Sequence, residues 1–165
     1  MFVGADVDRG YRALLEKEAR ALGVRDRVVF LGNVNAAGLP DLYARADVVV
    51  APPCTDETFG LVVLEAWASK RPVLFAARSG SSDLADALGP DNRAALLTDD
   101  VEAWANALGD LARSSDMRKH AAEAGYTLVR RRFHWDGVAS KLATLYEEVL
   151  EETQAVRPWG KVRIQ

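Results

Sequence analysis

The stretch DVVVAPPCTDETFGLVVLEAWASKRPVLFA, residues 47–76, sets two short apolar runs on either side of a longer one. Residues 47–51 (DVVVA) are β-branched and apolar on both faces, as a buried parallel strand is, and Pro52-Pro53 stop the run. Gly60 to Ser69 reads as a helix, and residues 72–76 (PVLFA) as the next strand. The loop 52–59 leaves the carboxyl end of the first strand. Open parallel sheets bind their ligands at such ends.

The pattern continues on both sides. Tyr11, Leu14, Leu15, Ala19 and Leu22 recur at a helical period, and Gly23 is placed to end that helix. Arg27 to Leu31 is a strand closed by Gly32, and Leu39 to Ala46 makes two helical turns with Pro40 tolerated in the first. Beyond residue 76, Ser79 to Ser82 is a small polar turn, 83–88 a short helix and 94–97 a weak strand. Helices follow over 101–111 and 115–129. A last one starts near Trp135, with Trp135, Val138, Leu142, Leu145 and Val149 on one face. Short strands alternating with helices predict an α/β fold, a Rossmann-like parallel sheet with helices on both faces. One domain is expected over 1–150, with an irregular tail over 151–165.

Composition narrows the function. The chain has 165 residues, 49% of them hydrophobic and 27% charged, and a net charge of -3. That is an ordinary globular composition, with no polybasic field for nucleic acid. Cys54 is the only cysteine, so neither an intrachain disulfide nor a cysteine-based zinc site is expected. No apolar run approaches the roughly 20 residues that span a bilayer. The start, MFVGADVDRG, lacks the basic and apolar regions of a signal peptide. A cytoplasmic location is the expectation. Phe2-Val3-Gly4 reads as the end of a strand entering a turn, as if the chain opened partway through a larger architecture.

Two carboxylates bracket the segment ETFGLVVLE, Glu57 and Glu65. In a helix from Gly60, residues Leu61, Leu64 and Ala68 share a face expected to meet the core, and Glu65 flanks it. An acid beside a buried stripe needs a partner or a path to water. Glu57 lies in the loop, where it also suits the helix amino terminus; Thr58 or Asp56 could cap that helix. Eight helical steps cover roughly 12 Å, whereas paired glycosidase carboxylates stand roughly 5 to 9.5 Å apart. A hydrolase pair is therefore disfavoured. Between the acids lies a helix amino terminus opening on glycine, suited to phosphate. A ligand with hydroxyls at both ends and phosphate in the middle fits, and a nucleotide-sugar has that form.

With those residues in place, the chain resembles the carboxyl-terminal, donor-binding domain of the retaining glycosyltransferases of two-Rossmann-domain (GT-B) architecture, the glycogen-synthase-like group numbered family 4. The segments carrying the resemblance are RVVFLGNV (27–34), LPDLYARADVVVAPP (39–53), ETFGLVVLEAWA (57–68), RPVLFA (71–76) and HWDGVASKLATLYEEVL (134–150). The resemblance implies half of a GT-B fold and transfer of a sugar from a nucleoside diphosphate with retained anomeric configuration, without a metal. It implies that Glu57 faces the reacting end of the donor sugar and steadies the developing cation. Glu65 would accept hydrogen bonds from the ribose. Phe59, Gly60, Leu61 and Val62 would bring backbone to the sugar and diphosphate, with Gly80 beside them. Asn33, Val34 and Leu39 would border the base.

Several features depart from the family pattern. The first strand of the family's domain, upstream of the VG turn, with the Arg and Lys usually placed against the pyrophosphate, is expected to be missing, as is the acceptor domain. A base-poor diphosphate site binds more weakly. The chain alone is therefore expected to be inactive, its acceptor half supplied elsewhere, with self-association through the uncovered closing helix as a further expectation. Lys70 stands where the family often has glycine, and Ser79-Gly80 where it often has two. A non-catalytic nucleotide-sugar binding module and a structural remnant are the rival readings. Arg130-Arg131-Arg132 suit a helix carboxyl end. His120 and His134 suit surface or packing roles, and Cys54 has no neighbour that would make it a nucleophile. The tryptophans at 67, 104 and 135 suit helix packing.

Overall fold

The computed structural model describes residues 1–5, 10–52, 59–76, 79–89, 95–96 and 100–156. They form two compact units, Met1–Ala46 and Asp47–Gln165.

In the first unit, β1 (Phe2–Val3) pairs in parallel with β2 (Phe30–Gly32), placing Phe2 opposite Phe30. The two rings stack at 5.0 Å. The helix α1 (Tyr11–Ala21) connects them. Its Glu16 gathers three guanidinium groups, Arg12 at 3.3 Å, Arg20 at 3.5 Å and Arg25 at 3.3 Å. Arg12 and Arg25 also lie over the Phe30 ring. The helix is as expected, but its apolar face is not buried. Ala19 is covered, whereas Tyr11, Leu14 and Leu22 are exposed. Gly23 ends α1 with φ +69°, its amide bonding Arg20 O while the Val24 amide bonds Ala19 O. A short helix, α2 (Leu39–Arg45), follows β2, with Pro40 in its first turn. The segment before it is held by the Asn35 side chain, which accepts from the Gly38 amide at 2.9 Å.

In the second unit, β3 (Val49–Ala51), β4 (Val73–Ala76) and β5 (Ala95–Leu96) form a parallel sheet in the order β3-β4-β5. Helices α3 (Leu61–Ala68), α4 (Ser82–Leu88), α5 (Val101–Arg113), α6 (Ser115–Arg132) and α7 (Trp135–Val156) flank it. The central position of β4 explains why all four of its residues are buried. The strand expected to be covered on both faces, β3, is not, since Val50 is 41% exposed. It flanks the central strand on one side only. The core joins Val63, Ala66 and Trp67 of α3 to β4, to Leu84 of α4, and to Ala122 and Leu128 of α6. Trp67 meets Phe75 of β4 edge-on, with ring centroids 5.6 Å apart. Its other side faces Gly125 of α6, the residue type that lets the helix backbone come that close.

Polar groups fix the helix ends. Asp100 accepts from the Glu102 amide at 3.0 Å and so caps α5. Ser114 ends α5 and caps α6, accepting from the Met117 amide at 3.2 Å. Arg118 reaches back to the Leu111 and Ala112 carbonyls at 2.7 and 2.8 Å, which α5 leaves without helical partners. His134 Nδ1 accepts from the Gly137 amide at 3.1 Å at the start of α7. That helix runs to Val156, so residues 151–156 of the expected irregular tail are helical. Its predicted stripe is present but open to solvent: Trp135 is 85% exposed, and Val138, Leu142, Leu145 and Val149 are exposed with it. Trp135 is thus not the packing residue it was expected to be.

The end of α3 carries a strained residue. Lys70 has φ +54°, its amide bonds Trp67 O, and the Arg71 amide bonds Ala66 O. This is the same cap that Gly23 makes after α1, built here on a residue for which the left-handed conformation costs about 1–2 kcal/mol. The Lys70 ammonium lies 4.5 Å from the centre of the Tyr126 ring on α6, worth about 0.5–1 kcal/mol in return.

Two predictions follow from this packing. A methyl group on Gly125 would fall within the Trp67 indole. Gly125→Ala is expected to lower the melting temperature by roughly 2–12 °C, as overpacking by about 1–3 kcal/mol does in a chain of this size, and differential scanning calorimetry measures it. For Lys70, strain relief and loss of the ring contact oppose each other. Lys70→Gly is expected to stabilise by about 0–1.5 kcal/mol alone and by about 1–2 kcal/mol in a Tyr126→Leu background, as urea denaturation of the four proteins of the cycle would show.

Candidate functional site

The helix α3 opens on Gly60, which has φ +83° and ψ +46°. Gly60 itself has no side chain with which to cap this end. The expected caps, Thr58 and Asp56, lie outside the described residues, and the capping position itself belongs to Gly60. A left-handed residue there is costly for anything but glycine. The Gly60 carbonyl receives the Val63 amide at 2.9 Å and the Leu64 amide at 3.4 Å. The amides of Leu61 and Val62 precede the first helical bonds, so the helix presents donors and partial positive charge at this end.

The face that α3 turns to the core is not the expected one. Val63, Ala66 and Trp67 are buried, while Leu61, Val62, Glu65 and Ala68 are exposed. The period is right and the phase is shifted, because Trp67 is by far the largest group to hide and it takes the buried stripe with it. Glu65 consequently stands on the open face, one turn from Leu61 and three residues from Val62. A carboxylate there meets a ligand or water without the burial cost foreseen for it.

Around Gly60 the second unit assembles a small cradle. A methyl group on Gly60 would stand 3.4 Å from Ser81 Cβ and 3.5 Å from Leu84 Cδ1. The polar turn Ser79–Ser81, which contains Gly80, is thereby brought beside the turn that opens α3. Phe59 is 37% exposed and meets Phe133, the residue that ends α6, edge-on at 5.8 Å. Of the expected residues, Phe59, Gly60, Leu61, Val62, Glu65 and Gly80 all lie in this unit. Asn33, Val34 and Leu39 lie in the first unit, in the loop after β2 and at the start of α2. Asn33 is exposed, Val34 and Leu39 are half-buried, and Val34 packs against Gly38. Glu57 lies outside the described residues, as does Cys54.

Sequence reading missed Ser81 and Phe133. Ser81 follows Gly80 directly, and its position before a helix is the signal that marks it. Phe133 has no such signal, since its contact with Phe59 is made across the fold. Among the described residues, no group of three or more His, Cys, Asp or Glu side chains could hold a metal ion. Among them too, no helix is long and apolar enough to cross a membrane. The Arg130 guanidinium lies beside Tyr126, with Nη1 3.4 Å from the hydroxyl, which is an ordinary surface contact.

A family model described as glycosyl transferases group 1 matches residues 1–128. The chain belongs to this family. It is 38% identical over 141 residues to a D-inositol 3-phosphate glycosyltransferase of Xylanimonas cellulosilytica, covering 86% of the chain and 33% of that protein. A protein of the same name from Salinispora tropica is 39% identical over 136 residues, 81% of the chain and 27% of that relative. The chain thus spans about a third of the length of the curated relatives it matches. Among solved structures, sucrose-phosphate synthase from Thermosynechococcus elongatus superposes with a TM-score of 0.74 at 29% identity, over 91% of the chain and 38% of that chain. Anabaena HepE in complex with UDP superposes with a TM-score of 0.76 at 24% identity, over 88% and 40%. The architecture is that of half a GT-B fold, a parallel sheet flanked by helices, as the sequence implied.

The cradle around Gly60 carries a prediction of its own. Gly60→Ala combines the left-handed penalty with contact against Ser81, and is expected to cost about 1–2 kcal/mol, lowering the melting temperature by roughly 2–8 °C in calorimetry.

Proposed function

We propose that this chain is the donor-binding part of a retaining glycosyltransferase, which moves a sugar from a nucleoside diphosphate sugar to an acceptor. The observation that carries the reading is the left-handed Gly60 opening α3, with Leu61, Val62 and Glu65 on the exposed face behind it. The amides at that helix end suit a diphosphate, and Glu65 is within a turn of them, where a ribose would offer hydroxyl groups. Phe59 to Val62 and Gly80 border the sugar and phosphates, and Asn33, Val34 and Leu39 the base. Glu57 steadies the cation that develops as the leaving diphosphate departs. No metal takes part in this scheme; the amide dipoles at the start of α3 offset the leaving-group charge.

Residues 1–150 act in this reading as one donor-binding domain, and the acceptor is read by a further domain or partner chain. The exposed stripe of α7 is the surface we assign to that partner, with self-association its alternative. Because HepE was crystallised with UDP, uridine is the base proposed here. A cytoplasmic setting fits a single cysteine and a nucleotide-sugar donor. By itself the chain is expected to bind donor without turning it over.

Calorimetric titration with UDP, GDP and ADP tests this. UDP is expected to give a saturable signal. Glu65→Ala, at an exposed position, is expected to keep the melting temperature and weaken UDP by roughly 10- to 100-fold, the worth of charge-assisted hydrogen bonds. A folded chain with no signal for any of the three, or an alanine variant binding as tightly as the parent, would sink the proposal.

A further inference from the structure

Glycine is the residue whose backbone has most freedom, so a glycine that must keep one conformation needs something to hold it. Gly60 is such a residue. The space beside its α-carbon, where a side chain would stand, is closed outside α3 by Ser81 and Leu84 among the described residues. Ser81 is 3% exposed and is the buried polar residue among the described ones. It occupies the capping position of α4, where a serine side chain usually accepts a bond from the helix's own amides. It makes no such bond. Its hydroxyl instead donates to the Ala76 carbonyl at 2.5 Å. Ala76 is the last residue of β4, the fully buried central strand. The cap of α4 has been given up, and the hydroxyl ties the turn to the end of the strand.

We propose that Ser81 is a positioning residue for the donor turn, its hydroxyl anchoring the polar turn to β4 so that its Cβ holds Gly60 in the left-handed conformation. The chain of contact is short. β4 is fixed by the core, Ser81 is fixed by β4, and Ser81 closes the space beside Gly60. The Gly60 carbonyl then sets the first two hydrogen bonds of α3, and with them the direction of the Leu61 and Val62 amides. Position 81 therefore governs how well these amides are pre-arranged for a diphosphate. It makes no contact with the ligand in this scheme. The ligand half of the inference rests on the donor reading; the backbone half does not.

The test compares the parent chain with Ser81→Ala and Ser81→Thr by amide hydrogen exchange and by UDP titration. In Ser81→Ala, the Val63 and Leu64 amides, both held by the Gly60 carbonyl, are expected to exchange about tenfold faster, with the Leu128 amide of α6 unchanged. UDP affinity is expected to fall about tenfold through lost pre-organisation. Ser81→Thr keeps the hydroxyl and is expected to restore both. If the alanine variant does not fold, Ser81→Cys, with a weak donor of similar shape, is expected to show the same loosening. Parent-like exchange at Val63 and Leu64 overturns the proposal, as does a speeding shared equally by Leu128. A parent that binds no UDP defeats the donor reading, and the exchange comparison still decides the role of Ser81.

Discussion

The contact between Trp67 and its two neighbours is the constraint from which the second unit is built. An indole is too large to hide against one element alone. Here Phe75 meets its edge from the sheet side, and Gly125 opens the helix side. This arrangement fixes the rotation of α3 about its own axis. Once Trp67 points inward, Val63 and Ala66 go with it, and Leu61, Val62 and Glu65 must face outward. The chemistry offered on the open side of α3 is thus a consequence of where one aromatic side chain is stored.

A second layer of order comes from the helix ends. Ser114 serves two helices at once, and Arg118 supplies donors to the carbonyls that α5 leaves over. Lys70 shows that the chain accepts local strain when geometry demands it. The turn from α3 into β4 needs a left-handed residue, and the lysine there gains a ring on α6 as compensation.

Much of the fold could be read from the residues. Among the described residues the α-helices and strands lie close to their expected places, because Gly23, Pro40, Pro52 and Asp100 punctuate the chain where elements start or stop, whereas the short 3-10 turns at Arg25–Arg27 and Ala36–Gly38 were not foreseen. What periodicity could not give was phase and depth. A run such as LVVLEAWA is apolar on so many sides that its buried face depends on the partner, and the partner, Gly125, lies far along the chain. β3 looked like the buried strand by composition, but burial follows position in the sheet, and β4 holds the centre. For the candidate site, Glu65, Gly60 and its neighbours were legible through the spacing in FGLVVLEA. Ser81 was marked only by its place before a helix, and its bond back to the strand end was not legible at all.

The open stripe of α7 has a practical side. Trp135, Val138, Leu142, Leu145 and Val149 line a helix that runs to Val156, and all five are exposed. An apolar ridge of that length behaves as an adhesive whose strength grows with crowding of like molecules. While the ridge stays uncovered, the working concentration of this chain has a ceiling set by α7 and not by the stability of its core. Detergent traces, chaperones from the expression host and column matrices would all compete for the same five side chains.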